Sequence, residues 1–526
     1  MRGCKSLFCA ALLVIAPQIA WAGNETDGAN EALVLYQQNC ASCHGDDRLG
    51  GIGPALLPEN LKRLRKKKAV QTIAKGRPAT QMPAFGEQLN PAQINALADF
   101  IYKPLPSVPD WTLAQAKASQ VIHNPIESLP DRPVHGADLM NLFTVVETGD
   151  HHVSILDGDK FETIWRFKSR FALHGGAKYS PDGRFVYLAS RDGWVSKYDL
   201  WSLKPVAEIR VGINTRNIAV SSDGKWVIAG NFLPHSLTVL YADDLSPFRV
   251  IEVGDGKGMT SRVSAVYDAR PRRSFVAALK DMKEVWELSY DPDAPPVYAN
   301  FVHSYRKGQE EGVVIGKQPF AVRRIKIDDY LDDFFFDPSY AEVMGAARNG
   351  KNGVVWNLDA GRKVAELALS GMPHLGSGIV FDYQGRTVMA TPHLREPAVS
   401  VIDMETWQTV KRIKTLGTGF FMRTHENTSY AWVDVFFGKD RDAVHVIDKR
   451  TLEIVKTLRP APGKTAAHVE FTKDGRYALL SVWDMQGALV VYDAETLTEV
   501  KRIPMVKPSG KYNVHNKITL SKGTSH

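Results

Sequence analysis

One short pattern returns along most of this 526-residue chain. Ser180-Pro181-Asp182-Gly183-Arg184-Phe185-Val186-Tyr187 is answered by Ser222-Asp223-Gly224-Lys225-Trp226-Val227-Ile228 and by Lys473-Asp474-Gly475-Arg476-Tyr477-Ala478-Leu479. Each is an Asp-Gly turn that runs into an apolar or alternating strand. Looser copies stand at 273–279, 339–346, 384–390 and 428–433. Most are followed by a second run that ends in Asp, at 195–199, 399–403, 444–448 and 489–493, and then by a third, such as 206–211 or 500–503. Residues 141–157 supply one more pair. Strand, turn, strand, turn, strand at a period of roughly 40–50 residues is the blade of a β-propeller. Eight units can be counted, or seven if one looser copy is misread. The spacing stretches between Lys280 and Tyr340, which predicts an insertion within 291–337. A propeller is a scaffold, so function has to be read from what its loops carry.

Ahead of the repeat stands Cys40-Ala41-Ser42-Cys43-His44. Two thiols three positions apart with a His directly after form the attachment site of a c-type haem, with Cys40 and Cys43 as thioethers and His44 as an axial ligand. A zinc site would need four ligands, and 23–105 holds no other Cys or His. The same segment holds one Met, Met82, beside Pro83. A lone Met is commonly core filler, but here it is the available sixth ligand. Residues 31–39 read as a helix leading into the motif. Residues 91–102 read as a closing helix with Ile94, Leu97, Ala98 and Ile101 on one face, Asn90 as cap and Pro91 at its first position. This small all-α segment resembles a class I cytochrome c. Its expected extent is 23–105, followed by a Pro-rich linker over 106–138, with a short helix near 111–119, and a propeller over 139–526.

Arg2 and Lys5, an apolar stretch over 7–19 and Ala20-Trp21-Ala22 read as a signal peptide over 1–22. The stretch is too short to span a bilayer, and no later run is long and apolar enough to be a transmembrane segment. The leader would remove Cys4 and Cys9 and leave no thiols beyond the haem pair. A leader and a c-type haem together predict the periplasm. The net charge of +7 is too mild for a nucleic-acid binder. It suits pockets for anionic ligands, although solvated surface charge would account for it equally.

Three histidines stand just upstream of repeat strands: His174 in Leu173-His174-Gly175-Gly176, His374 in Pro373-His374-Leu375-Gly376, and His468 in Ala467-His468-Val469. Equivalent points of successive blades meet near the axis, so three imidazoles are expected to face one central ligand. His425 is a fourth candidate. His151, His152, His235, His393 and His445 read as structural or surface residues. Arg191 and Arg216, and more weakly Arg262 and Arg423, recur nearby, and Arg suits carboxylates. Arginines around His suggest an iron macrocycle bearing carboxylates.

The whole resembles the cytochrome cd1 nitrite reductases and their relatives. The landmarks are Asn141-Leu142-Phe143, His174, Arg191-Asp192, Asp199-Leu200-Trp201, Pro373-His374, Ser481-Val482-Trp483 and Pro508-Ser509-Gly510-Lys511-Tyr512-Asn513-Val514. In the reductases a proximal His, here His174, holds haem d1 and two distal His protonate nitrite. His374 resembles one of these, but Pro319-Phe320-Ala321-Val322-Arg323 lacks the other, and His468 is an addition. That departure resembles the NirN family, the dihydro-haem d1 dehydrogenases, which turn a propionate into an acrylate in the last step of haem d1 biosynthesis. The NirF relatives lack such a c-type domain.

The resemblance implies dihydro-haem d1 as tetrapyrrole substrate, with His174 on its iron. It implies Arg191 and Arg216 on its carboxylates, and Lys511, Tyr512 and Asn513 closing the site. His374 and His468 would be base and proton relay. Electrons would leave through haem c to a periplasmic acceptor, with transient contact to the nitrite reductase. Nitrite reduction, or non-enzymatic haem d1 delivery, stays open as an alternative.

Overall fold

The computed structural model describes residues 24–520 except 52, 63, 78–81, 302–311, 317 and 348–351, and the expected leader lies outside the described residues. The first part is helical: Asn24–Asn39, Ala41–His44, Pro58–Leu61, Lys66–Lys75 and Pro91–Ile101. Asn90 caps the last of these as its sequence suggests. Its side chain accepts from Gln93 N at 2.9 Å, and Gln93 Oε1 accepts from Asn90 N at 3.0 Å. The buried face of that helix, Ile94, Leu97, Ala98 and Ile101, packs on Leu35 and Tyr36. The first helix begins well before the expected residue 31.

The rest is an eight-bladed propeller of four-stranded antiparallel sheets among the described residues. The inner strands of blades 1 to 8 are Pro508–Asn513, Lys178–Tyr179, Asn214–Val220, Val263–Ala269, Leu331–Phe336, Ile379–Tyr383, Met422–Thr424 and Ala466–Phe471. The ring closes in blade 1, where the last strand of the chain pairs with the first, Leu142–Glu147, in the register Phe143↔Asn513, Thr144↔Tyr512 and Val145↔Lys511.

The repeated residues do the same work each time. Asp182, Asp223 and Asp474 each accept from the backbone N–H two residues on, at 3.1 Å. The glycine between is left-handed in every copy, with φ of 75°, 72° and 74° for Gly183, Gly224 and Gly475. The strand-ending Asp403, Asp448 and Asp493 each take two backbone N–H groups of the following turn.

The insertion is narrower than 291–337. It is the hairpin Val297–Phe301 with Gly312–Gly316, placed between the third and outermost strands of blade 4. Val322–Lys326 is that outermost strand, and Leu331–Phe336 already belongs to blade 5.

The Pro-rich connection is docked onto the propeller. Thr112 and Gln115 form a capping box for Leu113–Ala118, and Val121–Ile122 adds a fifth strand to blade 2 against Glu208 and Ala207. Arg210 ties the helical part down. Its guanidinium donates to the carbonyls of Leu49, Gly50 and Asp192 and lies 4.7 Å over the Trp111 ring. Ala55 and Leu57 bury against Ile213 and Leu233 beside it.

Phe143 is fully buried in the closing blade, between Leu479, Leu489 and Met505. Phe143→Ala should lower stability by about 3–5 kcal/mol, read as a loss in denaturant unfolding with the slope unchanged.

Candidate functional site

His44 is buried, and its Nδ1 donates to Pro54 O at 2.7 Å. A carbonyl only accepts, so the proton sits on Nδ1 and Nε2 keeps its lone pair for iron. Gly53 gives the ring its space: a Cβ there would lie 2.8 Å from His44 Cε1. Cys40, Cys43, His44 and Met82 line one cavity, so the donors fit a haem bound through both thiols.

That cavity, of about 1630 Å³, continues from the helical part into the mouth of the propeller, where Arg191, Arg216, Asp333 and His374 line it. It also reaches His151 and His152, which the sequence left among structural or surface positions.

His174 and His374 occupy the same point of their blades. Each lies two residues after a left-handed residue, Ala172 (φ 48°) or Met372 (φ 54°). Each donates its backbone N–H across the blade, His174 to Ala189 O at 2.9 Å and His374 to Pro392 O at 2.8 Å. They belong to blades 2 and 6, which stand opposite each other in a ring of eight. His374 lines the cavity itself, whereas His174 stands behind Arg216, which lines it.

His174 Nδ1 donates to Arg216 O at 2.7 Å, and the Arg216 guanidinium lies 2.6 Å from His174 Nε2. The nitrogen that keeps its lone pair is thus the one covered by Arg216, a residue that lines the cavity. His374 Nδ1 donates to Phe420 O at 2.5 Å, so its Nε2 is likewise the acceptor.

His468 does not share that point, against the expectation from the repeat. It is the extra residue of a β-bulge in the inner strand of blade 8, between the pairs Ala467↔Ser481 and Val469↔Leu480. Its φ is 55°, a strained value for a non-glycine residue that turns the side chain out of the ladder. Its ring packs on Phe421 (4.7 Å) and Tyr512 (5.2 Å). Gly176 and Gly510 make room for Tyr512, since a Cβ on either would come within 3.0 Å of its ring or hydroxyl.

Burial holds both His374 and His468 below the ordinary imidazole value. For His468 the positive charges of Lys511, Arg423 and Lys517 add to it.

The remaining expected residues separate. Lys511 is buried, its Nζ donates to His468 O, and burial brings its ammonium down to about 7. Its position supports His468 from behind. Asn513, expected to close the site, donates to Asn141 Oδ1 at 3.1 Å and caps the helix Val514–Thr519, which is work inside the fold. Arg262 lines the cavity but is held by both oxygens of Asp281 (2.7 and 2.6 Å). Arg423 is buried 3.5 Å from Glu470. His425 lies past the end of its strand, in the turn, against Gly475.

Pro319-Phe320, read as the place of a missing distal His, lies on the outer side of blade 4. There Phe320 packs on Trp226 (4.9 Å) and Phe248 (5.8 Å). The axis receives Asp333 from blade 5 instead, with its carboxylate accepting from Tyr267 Oη at 2.8 Å.

Two linked units, one with the donors to bind a haem through cysteines and one an eight-bladed propeller with imidazoles on opposite blades, are the architecture of a d1-type cytochrome. Residues 137–313 and 296–517 match the cytochrome D1 haem domain family, and 28–101 match the family of cbb3-type cytochrome c oxidase subunit III. The chain is 56% identical over 492 residues to the dihydro-haem d1 dehydrogenase of Pseudomonas aeruginosa, covering 94% of this chain and 95% of that one. It is 26% identical to the nitrite reductase of Stutzerimonas stutzeri, covering 92% of each. A solved structure of dihydro-haem d1 dehydrogenase NirN in complex with DHE superposes with a TM-score of 0.86 at 55% identity, covering 93% of this chain and all of that one. The chain belongs to the cytochrome D1 haem domain family and, within it, to the dihydro-haem d1 dehydrogenases.

Gly53→Ala should push the His44 ring from its place, because its Cβ would meet Cε1 at 2.8 Å. The expected result is a protein with less low-spin haem c per chain, measured by the reduced absorption spectrum against protein mass.

Proposed function

We propose that the protein is an oxidoreductase that desaturates a propionate side chain of dihydro-haem d1 to an acrylate and passes the electrons to its own haem c. The observation that carries this reading is the cavity that joins the Cys40–Cys43–His44 site to His374 and to Arg216, the residue bonded to His174. The 56% identity to a dihydro-haem d1 dehydrogenase across nearly the whole chain supports it. The 26% identity to a nitrite reductase gives the alternative less weight. A carrier that only delivered the tetrapyrrole would have no use for an electron exit.

The substrate's iron meets His174 Nε2, whose proton-bearing Nδ1 is fixed by Arg216 O. The Arg216 and Arg191 guanidinium groups turn to the substrate's carboxylates, charge-assisted bonds that also orient the ring. Desaturation removes two protons and two electrons from adjacent carbons. His374, which lines the cavity, accepts at Nε2, and His468, packed on Phe421 outside the cavity lining, serves as relay or second acceptor. Tyr512 and Phe421 pack on His468 and keep water from its ring. Haem c, when bound through Cys40 and Cys43 with His44 and Met82 as axial ligands, supplies one-electron exchange. We take the leader as 1–22, the cytochrome domain as 23–105, the linker as 106–138 and the propeller as 139–526. The leader and the c-type motif favour the periplasm, where an electron acceptor and, transiently, the cytochrome cd1 nitrite reductase would be the partners. No helix among the described residues is long and apolar enough to cross a membrane.

Incubation with dihydro-haem d1 and an oxidant should yield a tetrapyrrole two hydrogens lighter by mass spectrometry. An unchanged mass in a protein that binds the tetrapyrrole would favour the carrier. His374→Ala and His468→Ala should each lower turnover by about 100-fold or more.

Because burial holds both imidazoles below 6.5, they are neutral at pH 7 and remain bases as pH falls past 6.5. The acid limb of kcat/KM should therefore lie below 6.5, and a limb at or above that value would remove them as bases.

A further inference from the structure

We propose that Asp434 is a positioning residue that holds His374 and His468 in one arrangement. Asp434 ends Tyr430–Asp434, the second strand of blade 7, between the blades that carry the two imidazoles. One carboxylate oxygen, Oδ1, accepts from Phe420 N at 2.8 Å and Phe421 N at 3.0 Å. The other, Oδ2, accepts from His468 N at 3.2 Å. Phe420 O in turn accepts from His374 Nδ1 at 2.5 Å. A continuous path of hydrogen bonds thus runs from the ring of His374 through the Phe420 peptide and one carboxylate to the backbone of His468.

Each link is needed for a local reason. The bulge takes His468 out of the ladder pairing, so its N–H needs an acceptor from elsewhere, and Asp434 supplies it. The segment Gly417-Thr418-Gly419-Phe420-Phe421 lies outside the strands, and Asp434 fixes its two aromatic amides from the side. With Phe420 held, its carbonyl sets the tautomer of His374 and leaves Nε2 facing the cavity. Phe421, pinned by the same oxygen, is the ring on which His468 packs at 4.7 Å. Asp434 is itself buried and makes no contact with the cavity, so it acts through these groups rather than on substrate. Burial raises its carboxyl to about 6, with the three amides drawing it back toward the charged form.

The inference rests on the reading of His374 and His468 as the proton-handling pair. Asp434→Asn tests it with an isosteric side chain. The amide oxygen can still take the Phe420 and Phe421 N–H groups, but its NH₂ then opposes His468 N–H, donor against donor. Asp434→Ala removes both arms. Misplacement of a reacting group by about 1 Å can cost on the order of 100-fold. Turnover of dihydro-haem d1 by the haem c-loaded D434N protein should fall about 10- to 100-fold, while binding measured by optical titration stays within about two-fold. D434A should fall further. His374→Ala and His468→Ala are run alongside. If both of those retain turnover, the underlying reading fails. If they lose it and folded D434N retains it, the role of Asp434 fails alone. Equal losses in binding and turnover, or a D434N protein that does not fold, would assign Asp434 to the scaffold and overturn the proposal.

Discussion

The site exists because the ends of the propeller are hydrogen-bonded to each other. Pro508–Asn513 returns from the far end of the chain to pair with Leu142–Glu147. Without that ladder blade 1 would lack its inner strand, and blades 1 and 8 would face water with unpaired backbone groups. Closure also makes opposite blades opposite in space, so that equal positions in blades 2 and 6 aim two imidazoles at one axis. The register Thr144↔Tyr512 and Val145↔Lys511 sets Tyr512 against His468 and Lys511 behind it. The strand that seals the ring is therefore also what His468 rests on.

Around that axis, backbone groups do much of the orienting. His44, His174 and His374 each give their Nδ1 proton to a main-chain carbonyl, of Pro54, Arg216 and Phe420 respectively. A carbonyl offers no proton of its own, so all three rings are set in the same tautomer with Nε2 outward. Arg216 has two relations to His174: its carbonyl fixes the ring, and its guanidinium lies against Nε2. On the proposed function, an iron arriving at His174 would compete with that guanidinium for one lone pair, and a substrate carboxylate would give the displaced cation a new partner. The two events favour each other.

Much of this could be read from the residues. Asp-Gly turns and strand-ending Asp revealed the blades because each performs a local hydrogen-bonding task that needs that residue type. Cys40, Cys43 and His44 are adjacent in the chain, so their chemistry is visible as a string. The equivalent places of His174 and His374 could be read because the repeat carries its own coordinates. His468 misled for a physical reason: its place depends on a bulge, which shifts register by one residue without leaving a mark in composition. Pro319-Phe320 misled because a string of letters gives no radial position, and the outer edge of a blade is spelled much like its mouth. Asp434 and Asp333 were missed because each is bonded to a residue of a neighbouring blade, His468 in blade 8 and Tyr267 in blade 4. Asn513 looked functional because it adjoins Lys511 and Tyr512, which touch His468, although its own bonds serve a helix cap.

The docked linker carries a kinetic meaning. Val121–Ile122 is woven into blade 2, the blade that bears His174 and Arg191, and Arg210 fastens the haem-binding loop to the same blade. The electron carrier is thereby a permanent neighbour, present at an effective concentration in the millimolar range or above for a short tether. Two electrons must be withdrawn in succession, and a half-oxidised tetrapyrrole that had to wait for a freely diffusing protein would be exposed to side reactions. With the carrier riding on the same blade, the first withdrawal needs no collision. Only the recharging of that carrier depends on what the surroundings can supply.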